Sequence, residues 1–515
     1  MGRTEYIAKN SIWGIVSKLA SLILGFASRT LFIYFLGITY LGVNGLYSQI
    51  LQMLSLAELG FGTALTLAMY RPVAQEDDER IVKLLYFYKG VYRIIAAVVT
   101  VCGILLLPFL QYIVKGADEL TLFQLRLYFV IFLTNTVINY FVSYKYSYVN
   151  ALQKNYIITN FDTIANFSVI VIQIIVMIVF KDFLAYLLAH TFLLILSRFC
   201  IALYLNKKFP ILCKKTEQRL SKEEKKPIYN EIKGLALHQF SSVAIHSTDN
   251  IIISSLSGLG VVAVGLISNY NLIMTSVTGF IVVLFNSVTS SFGNLVAVSD
   301  TDNYHKAFLD LNFINFWMYG FCSIAFFVLL PPFIKLWLGE QYLIDSVCFL
   351  IIVLNTYFVG QSTIYNNARM AKGEFSKDKY WALAQALLNL VVSIIGARFW
   401  GLIGVYIGTI LSRLLYLCGR PYSTYKTLFN TSCLEYYKKL ATYFLAVCVG
   451  GAITYFATLF LLENVTLVFF IIAAVIVLII PNVLFLLFFC KTIEFRNCVQ
   501  RLKEFVKRRK SGNEK

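Results

Sequence analysis

The sequence predicts an all-α, polytopic membrane protein of about fourteen transmembrane helices, and three observations carry that prediction. First, 58% of the 515 residues are hydrophobic and only 14% are charged, a balance that marks the membrane class. Second, apolar runs long enough to cross a hydrocarbon core recur from end to end, as in LLENVTLVFFIIAAVIVLIIPNVLFLLFFC at 461–490. Such runs are helical, because lipid offers no partner for unpaired backbone groups. Third, lysine and arginine crowd alternate loops. With the amino terminus inside, the outer loops hold only Lys115, Lys181, Lys335 and Arg398, so both termini are expected in the cytoplasm and the number of spans is expected to be even.

The spans read in order as 11–36, 41–70, 84–111, 121–144, 157–180, 183–206, 232–256, 261–297, 309–337, 346–368, 379–397, 400–419, 439–461 and 465–490. The first is too long for a cleaved signal peptide and ends on the polar Ser28 and Arg29, so it is expected to remain as an anchor. On a helix, Ser11, Lys18, Gly25 and Arg29 share one of its faces, with Ser21 and Ser28 beside them. The second span carries Glu58 in SLAELGFGTALT, about 12 residues from the inner end and too deep for a short carboxylate to reach water. Gly60 and Gly62 follow it and allow a bend or a close helix approach.

Lys89, Arg93 and Arg198 lie within about two turns of a cytoplasmic end and Arg126 lies near an outer end, where long side chains reach the head groups. Asp162, near the start of the fifth span, is placed at the interface. The most polar internal stretch, KKFPILCKKTEQRLSKEEKKP at 207–227, reads as a solvated basic linker with some amphipathic helix. In the seventh span Glu231, His238, Ser242 and Asp249 follow spacings of 7, 4 and 7, a single stripe with His246 on its edge. A charge at mid-bilayer costs roughly 2.5 to 3.5 kcal/mol on insertion scales. Several on one stripe imply a water-filled cavity or paired partners.

Shifting the chain on itself by 220 residues lays GLYS at 45–48 over GLIS at 265–268, Lys18 over His238 and Arg29 over Asp249. That pattern predicts a parallel repeat, an arrangement that in transporters encloses a central cavity. The net charge of +18 is then a topology signal and an attraction to anionic membrane lipids, with no nucleic-acid module to suggest another partner. Ten cysteines are scattered without a Cys-x-x-Cys pair or a ligand spacing to the four histidines, and they read as small apolar packing residues. No G-x-x-x-x-G-K-[ST], H-E-x-x-H or G-x-S-x-G is present, which excludes an ATPase domain within this chain.

On KNSIWGIVSKLASLILGFASRTLFIYFLGITYLGVNGLYSQIL, on LAELGFGTAL with Arg71 after it, and on HSTDNIIIS followed by VGLISNYNLI, the chain resembles the polysaccharide transporter family. These are the bacterial oligosaccharide flippases of the multidrug/oligosaccharidyl-lipid/polysaccharide superfamily. The resemblance covers essentially the full length. It implies a six-helix lobe at 1–206, the basic linker at 207–231, a second six-helix lobe at 232–420 meeting the first in a V, two added spans at 421–490 and a basic cytoplasmic tail at 491–515.

The implied activity is translocation of undecaprenyl-diphosphate-linked oligosaccharide from the inner to the outer leaflet of the bacterial inner membrane, for capsule, O-antigen or exopolysaccharide, with a polysaccharide polymerase as a possible partner. Lys18 and Arg29 suit the counter-charge of the diphosphate, with Lys89, Arg93, His238 and Ser242 as further cavity residues. Cation-coupled antiport is implied as well. No cofactor is expected beyond a coupling H+ or Na+, for which Glu58, His238 and Asp249 are the titratable residues. In the implied V, Arg29 and Asp249 face each other as an outer gate.

Three other readings compete. A multidrug and toxin extrusion antiporter is expected to have an acidic, aromatic cavity, whereas the first-lobe stripe here is basic. A peptidoglycan-precursor flippase matches in span count and basic cavity. A membrane glycosyltransferase or polymerase is expected to show a large outer loop or a catalytic carboxylate pair, and the outer loops here are short and poor in acids.

Overall fold

The computed structural model describes residues 22–512 apart from 59, 60, 215, 217, 257, 299, 300, 373–378 and 464; within helices, the side chains of 57, 231, 233–246, 286–298, 379, 502 and 505–512 lie outside the description. Among the described residues the architecture is helical, with no strand. The helices are α1 (Leu22–Leu36), α2 (Ile38–Leu54), α3 (Phe61–Ala74), α4 (Asp78–Leu106), the short α5 (Leu110–Ile113), α6 (Leu122–Ala151), α7 (Tyr156–Phe180) and α8 (Phe183–Lys208). They continue with α9 (Lys222–Leu256), α10 (Gly260–Val298), α11 (Thr301–Trp337), α12 (Ser346–Gln361), α13 (Thr363–Lys372), α14 (Lys379–Phe429), α15 (Leu434–Glu463), α16 (Leu467–Phe489) and α17 (Ile493–Gly512).

Ten segments among the described residues are long and apolar enough to cross a membrane. One of them, Tyr380–Phe429, takes in the two spans expected at 379–397 and 400–419: Gly401 at φ 55°, ψ −128° breaks the helical path between them, a conformation glycine adopts without a Cβ penalty. The spans expected at 11–36 and 232–256 fall partly outside the described residues or side chains. Helix starts follow local chemistry. Asp77, Asp182 and Asp345 accept hydrogen bonds from the first free N–H groups of α4, α8 and α12, and Thr121 with Gln124 forms a reciprocal capping box on α6. Large apolar side chains such as Phe456 and Phe460 on α15 stand exposed, as a lipid-facing surface requires.

The chain divides into two compact units, Met1–Gly265 and Leu266–Lys515. In the first, α6 packs against α2, α3, α4 and α8, and buried tyrosines tie the helices together. The Tyr47 hydroxyl donates to the Leu125 carbonyl at 2.9 Å and that of Tyr88 to the Leu65 carbonyl at 3.1 Å. The linker is more ordered than a solvated strand of charge: Ile211, Leu212 and Leu220 are buried, Lys214 pairs with Asp78 at 2.8 Å, and Ser221 with Glu224 caps the start of α9. The Ser221 backbone N–H holds the Glu224 carboxyl below its ordinary range.

The repeat seen in sequence has a packing counterpart in the same unit. A Cβ on Gly42 of α2 would come 1.9 Å from the Val261 carbonyl oxygen, and one on Gly265 would come 2.7 Å from that of Ile38. Gly45, matched to Gly265 by the 220-residue shift, lies in the same contact, 3.4 Å from Val264. Small residues at these positions let the backbones of α2 and the start of α10 touch.

In the second unit α11 is the centre, packed on α12, α15, α16 and α17. Phe316 and Tyr443 stack at 4.2 Å between ring centroids. Buried Asp310 accepts from Arg501 at 2.7 Å and from Asn497 at 3.0 Å, which fastens α17 to the start of α11. Within α14 the two arms touch through Gly396 and Gly404, and Ser393 donates to the Val405 carbonyl at 3.0 Å.

Candidate functional site

In the first unit, α2 ends in a tight 3-10 turn, Ser55–Glu58, before α3 begins. The turn is held from two sides: Ser55 Oγ donates to the Leu51 carbonyl at 2.8 Å and accepts from the Tyr140 hydroxyl at 3.0 Å. It delivers Glu58 into a cavity of about 540 Å3, a volume typical of small-molecule sites. The rest of the wall comes from α3, α4 and α6 and from the turn after α6.

The Glu58 carboxylate lies beside the Tyr92 hydroxyl, with Ser147 near it. Tyr92 is buried on α4, and its ring stacks against Tyr140 with a centroid distance of 6.4 Å. A Cβ on Gly62 would sit 3.2 Å from the Tyr92 hydroxyl oxygen, so glycine there leaves room for the Glu58–Tyr92 contact. On α6, Ser143, Tyr146, Ser147 and Asn150 line the cavity at spacings of one helical face. The Asn150 side-chain carbonyl is buried and has no hydrogen-bond partner.

Behind this wall lies a charge network. Arg198 pairs with Asp162 at 2.6 Å and donates to Asn139 at 2.8 Å and to the Tyr146 hydroxyl at 2.9 Å. Asp162 and Arg198 thus neutralise each other across α7 and α8. Lys145, buried on α6, donates to Asn206 at 2.8 Å. Among the described residues the cavity lining contains one carboxylate and no lysine or arginine.

The sequence-derived residues fall in different places. Glu58 is in the cavity wall. Lys89 and Arg93 are exposed on α4, outside that wall. Arg29 is half-buried on α1 and interacts electrostatically with Tyr186 of α8. Asp249 is half-buried on α9, between Ser247, which donates to Gln52 at 3.4 Å, and Ser254, which donates to the Ile113 carbonyl at 2.6 Å. Lys18 lies outside the described residues, and the side chains of His238 and Ser242 lie outside the description.

Sequence reasoning directed at charged stripes passed over Tyr92, Ser147 and Asn150. The signal that marks them is a run of hydroxyls and amides, Ser143, Ser147 and Asn150, on one face of α6.

A family described as polysaccharide biosynthesis protein matches residues 7–290. No curated protein shows a significant sequence match. Among solved structures, the chain is similar to the lipid II flippase MurJ in an inward closed conformation, at 16% identity and a TM-score of 0.66, covering 94% of this chain and 100% of that one. It is also similar to an inward-facing multidrug resistance MATE family transporter of the MOP superfamily, at 15% identity and a TM-score of 0.60, covering 81% and 99%. A MOP superfamily transporter from Pyrococcus furiosus matches at 15% identity and a TM-score of 0.52, covering 81% and 94%. At these identities the likeness is one of fold. Matched over more than half its length, this chain belongs to the family of polysaccharide biosynthesis proteins, and its fold is like that of MurJ and the MATE transporters.

Proposed function

We propose that the protein is a flippase that carries an undecaprenyl-diphosphate-linked oligosaccharide from the inner to the outer leaflet of a bacterial inner membrane, with both termini in the cytoplasm. The family match over residues 7–290 carries this reading. The net charge of +18 supports it, because a basic surface attracts a diphosphate and the anionic head groups around it. Lys18 and Arg29 are the proposed counter-charges, with Lys89, Arg93, His238 and Ser242 as further contacts along the path. Direction comes from consumption of the sugar outside, by a polymerase or ligase, or from H+ or Na+ moving the other way through Glu58, His238 or Asp249.

Arg29 and Asp249 form the proposed outer gate: they approach when the outer side closes and separate when it opens. The charge-reversed pair, Arg29→Asp with Asp249→Arg, is expected to restore closure lost in either single variant, measured by cysteine accessibility from outside. Closure lost equally in singles and double contradicts the pair.

Deleting the gene in its own host tests the transport reading as a whole. The expected outcome is loss of a surface polysaccharide with lipid-linked sugar accumulating on the cytoplasmic face. A multidrug exporter would instead leave the polysaccharide intact and raise sensitivity to organic cations.

A further inference from the structure

We propose that the cavity around Glu58, Tyr92 and Asn150 is a subsite for an uncharged sugar of the lipid-linked substrate, separate from the groups that hold its diphosphate. The proposal rests on the flippase reading and adds to it which part of the substrate this cavity takes. Its starting point is the chemistry of the wall. Among the described residues the polar groups are hydroxyls of serine, threonine and tyrosine, the amides of Asn150 and Asn155, and the carboxylate of Glu58. Among the described residues the wall holds no lysine or arginine, and the Arg198 guanidinium behind Tyr146 is already paired with Asp162, so the charge a diphosphate meets in the wall is that of Glu58, of its own sign. A lipid tail would leave the buried Asn150 side-chain carbonyl without a partner.

A metal ion fits no better, since no group of three or more His, Cys, Asp or Glu side chains able to hold one is found among the described residues. The remaining classes are a sugar and an organic cation. The tyrosines decide between them by which part they present. A cation is held by aromatic faces, but Tyr92 is buried with its ring stacked on Tyr140, and its hydroxyl is the part that lies beside Gly62 and Glu58 of the cavity wall. The Tyr146 hydroxyl is likewise oriented by Arg198. Both rings therefore offer oxygen edges.

A sugar ring carries several hydroxyls, each able to donate and accept, and fits a wall of alternating acceptors and donors. Asn150 supplies the unused acceptor: its side-chain carbonyl is buried and without a partner, and a sugar hydroxyl or N-acetyl N–H satisfies it. Glu58 accepts from a second sugar hydroxyl. Tyr70, exposed on the cavity wall, adds a third tyrosine hydroxyl within reach of the sugar. The wall thus selects for an uncharged sugar and against an acidic one.

The test measures binding of two carriers to the purified full-length protein in detergent: bare undecaprenyl diphosphate, and the same carrier bearing N-acetylglucosamine. The wild type is expected to hold the sugar-bearing carrier about tenfold more tightly, the equivalent of one satisfied hydrogen-bond set. Asn150→Leu, which keeps bulk and removes the amide, and Tyr70→Ala, at an exposed position, should each erase that preference while leaving affinity for the bare carrier within about twofold. Equal wild-type affinity for the two carriers overturns the subsite, as does a loss of affinity for both carriers alike in well-folded variants. Binding of tetraphenylphosphonium that Glu58→Gln abolishes, without any preference for the sugar-bearing carrier, reassigns the cavity to organic cations. Failure of the wild type to bind either carrier overturns the flippase reading itself, and the subsite with it.

Discussion

Cells whose surface polysaccharide depends on this protein are expected to lose export by about a hundredfold when Lys18→Ala and Arg29→Ala are combined, with the protein still made and inserted. Each charge-assisted contact to a phosphate contributes about 1.5 to 3 kcal/mol, and each 1.4 kcal/mol is a factor of ten. Arg29→Lys should restore export only in part, because a lysine ammonium lacks the planar fork that grips a phosphate at two oxygens. Immunoblots of the membrane fraction control for expression, and quantified surface polysaccharide gives the readout. Undiminished polysaccharide in the double variant would remove Lys18 and Arg29 from the substrate path.

Glu58→Gln carries the second large effect. Glutamine keeps the shape of the side chain and an acceptor oxygen beside the Tyr92 hydroxyl. What it removes is the group that takes up and releases charge. If Glu58 couples transport to an ion, vesicles containing the variant should show no response to an imposed H+ or Na+ gradient, whereas wild-type vesicles respond to a tenfold gradient worth about 1.4 kcal/mol. Carrier binding should stay within a few-fold of wild type. A variant that still follows the gradient takes Glu58 out of the coupling, and a variant that fails to fold makes the role of Glu58 structural.

The all-helical membrane class was legible because it follows from composition and from the length of apolar runs, both of which are local. The break at Gly401 within α14 was visible for the same reason, as the short gap between two spans. The match of Gly45 to Gly265 under the 220-residue shift was legible as a repeat, but its meaning was not. Only the fold shows that both glycines lie where α2 meets the start of α10.

The site was less legible. Glu58 stood out because a lone deep carboxylate in an apolar span is costly and therefore needs a purpose. Its partner Tyr92 did not stand out, because one tyrosine among 33 is unremarkable until the fold brings α4 to within hydrogen-bonding reach of the Ser55–Glu58 turn. Asp162 and Arg198 were read separately, each at a membrane interface. They form one ion pair, which their separation of 36 positions concealed. The linker at 207–227 was read from its charge, and the apolar Ile211, Leu212 and Leu220 that bury it were too few and too scattered to alter that reading.

The central claim is that the chain moves a lipid-linked sugar across a bilayer. It is tested most directly with purified protein in vesicles that carry undecaprenyl-diphosphate-linked N-acetylglucosamine in both leaflets, together with an impermeant enzyme outside that modifies the exposed sugar. The account predicts that sugar from the inner leaflet becomes accessible at a rate that rises with the amount of protein and falls when Arg29 is replaced by alanine. Accessibility that stays confined to the outer leaflet, at the same rate with and without protein, would contradict it.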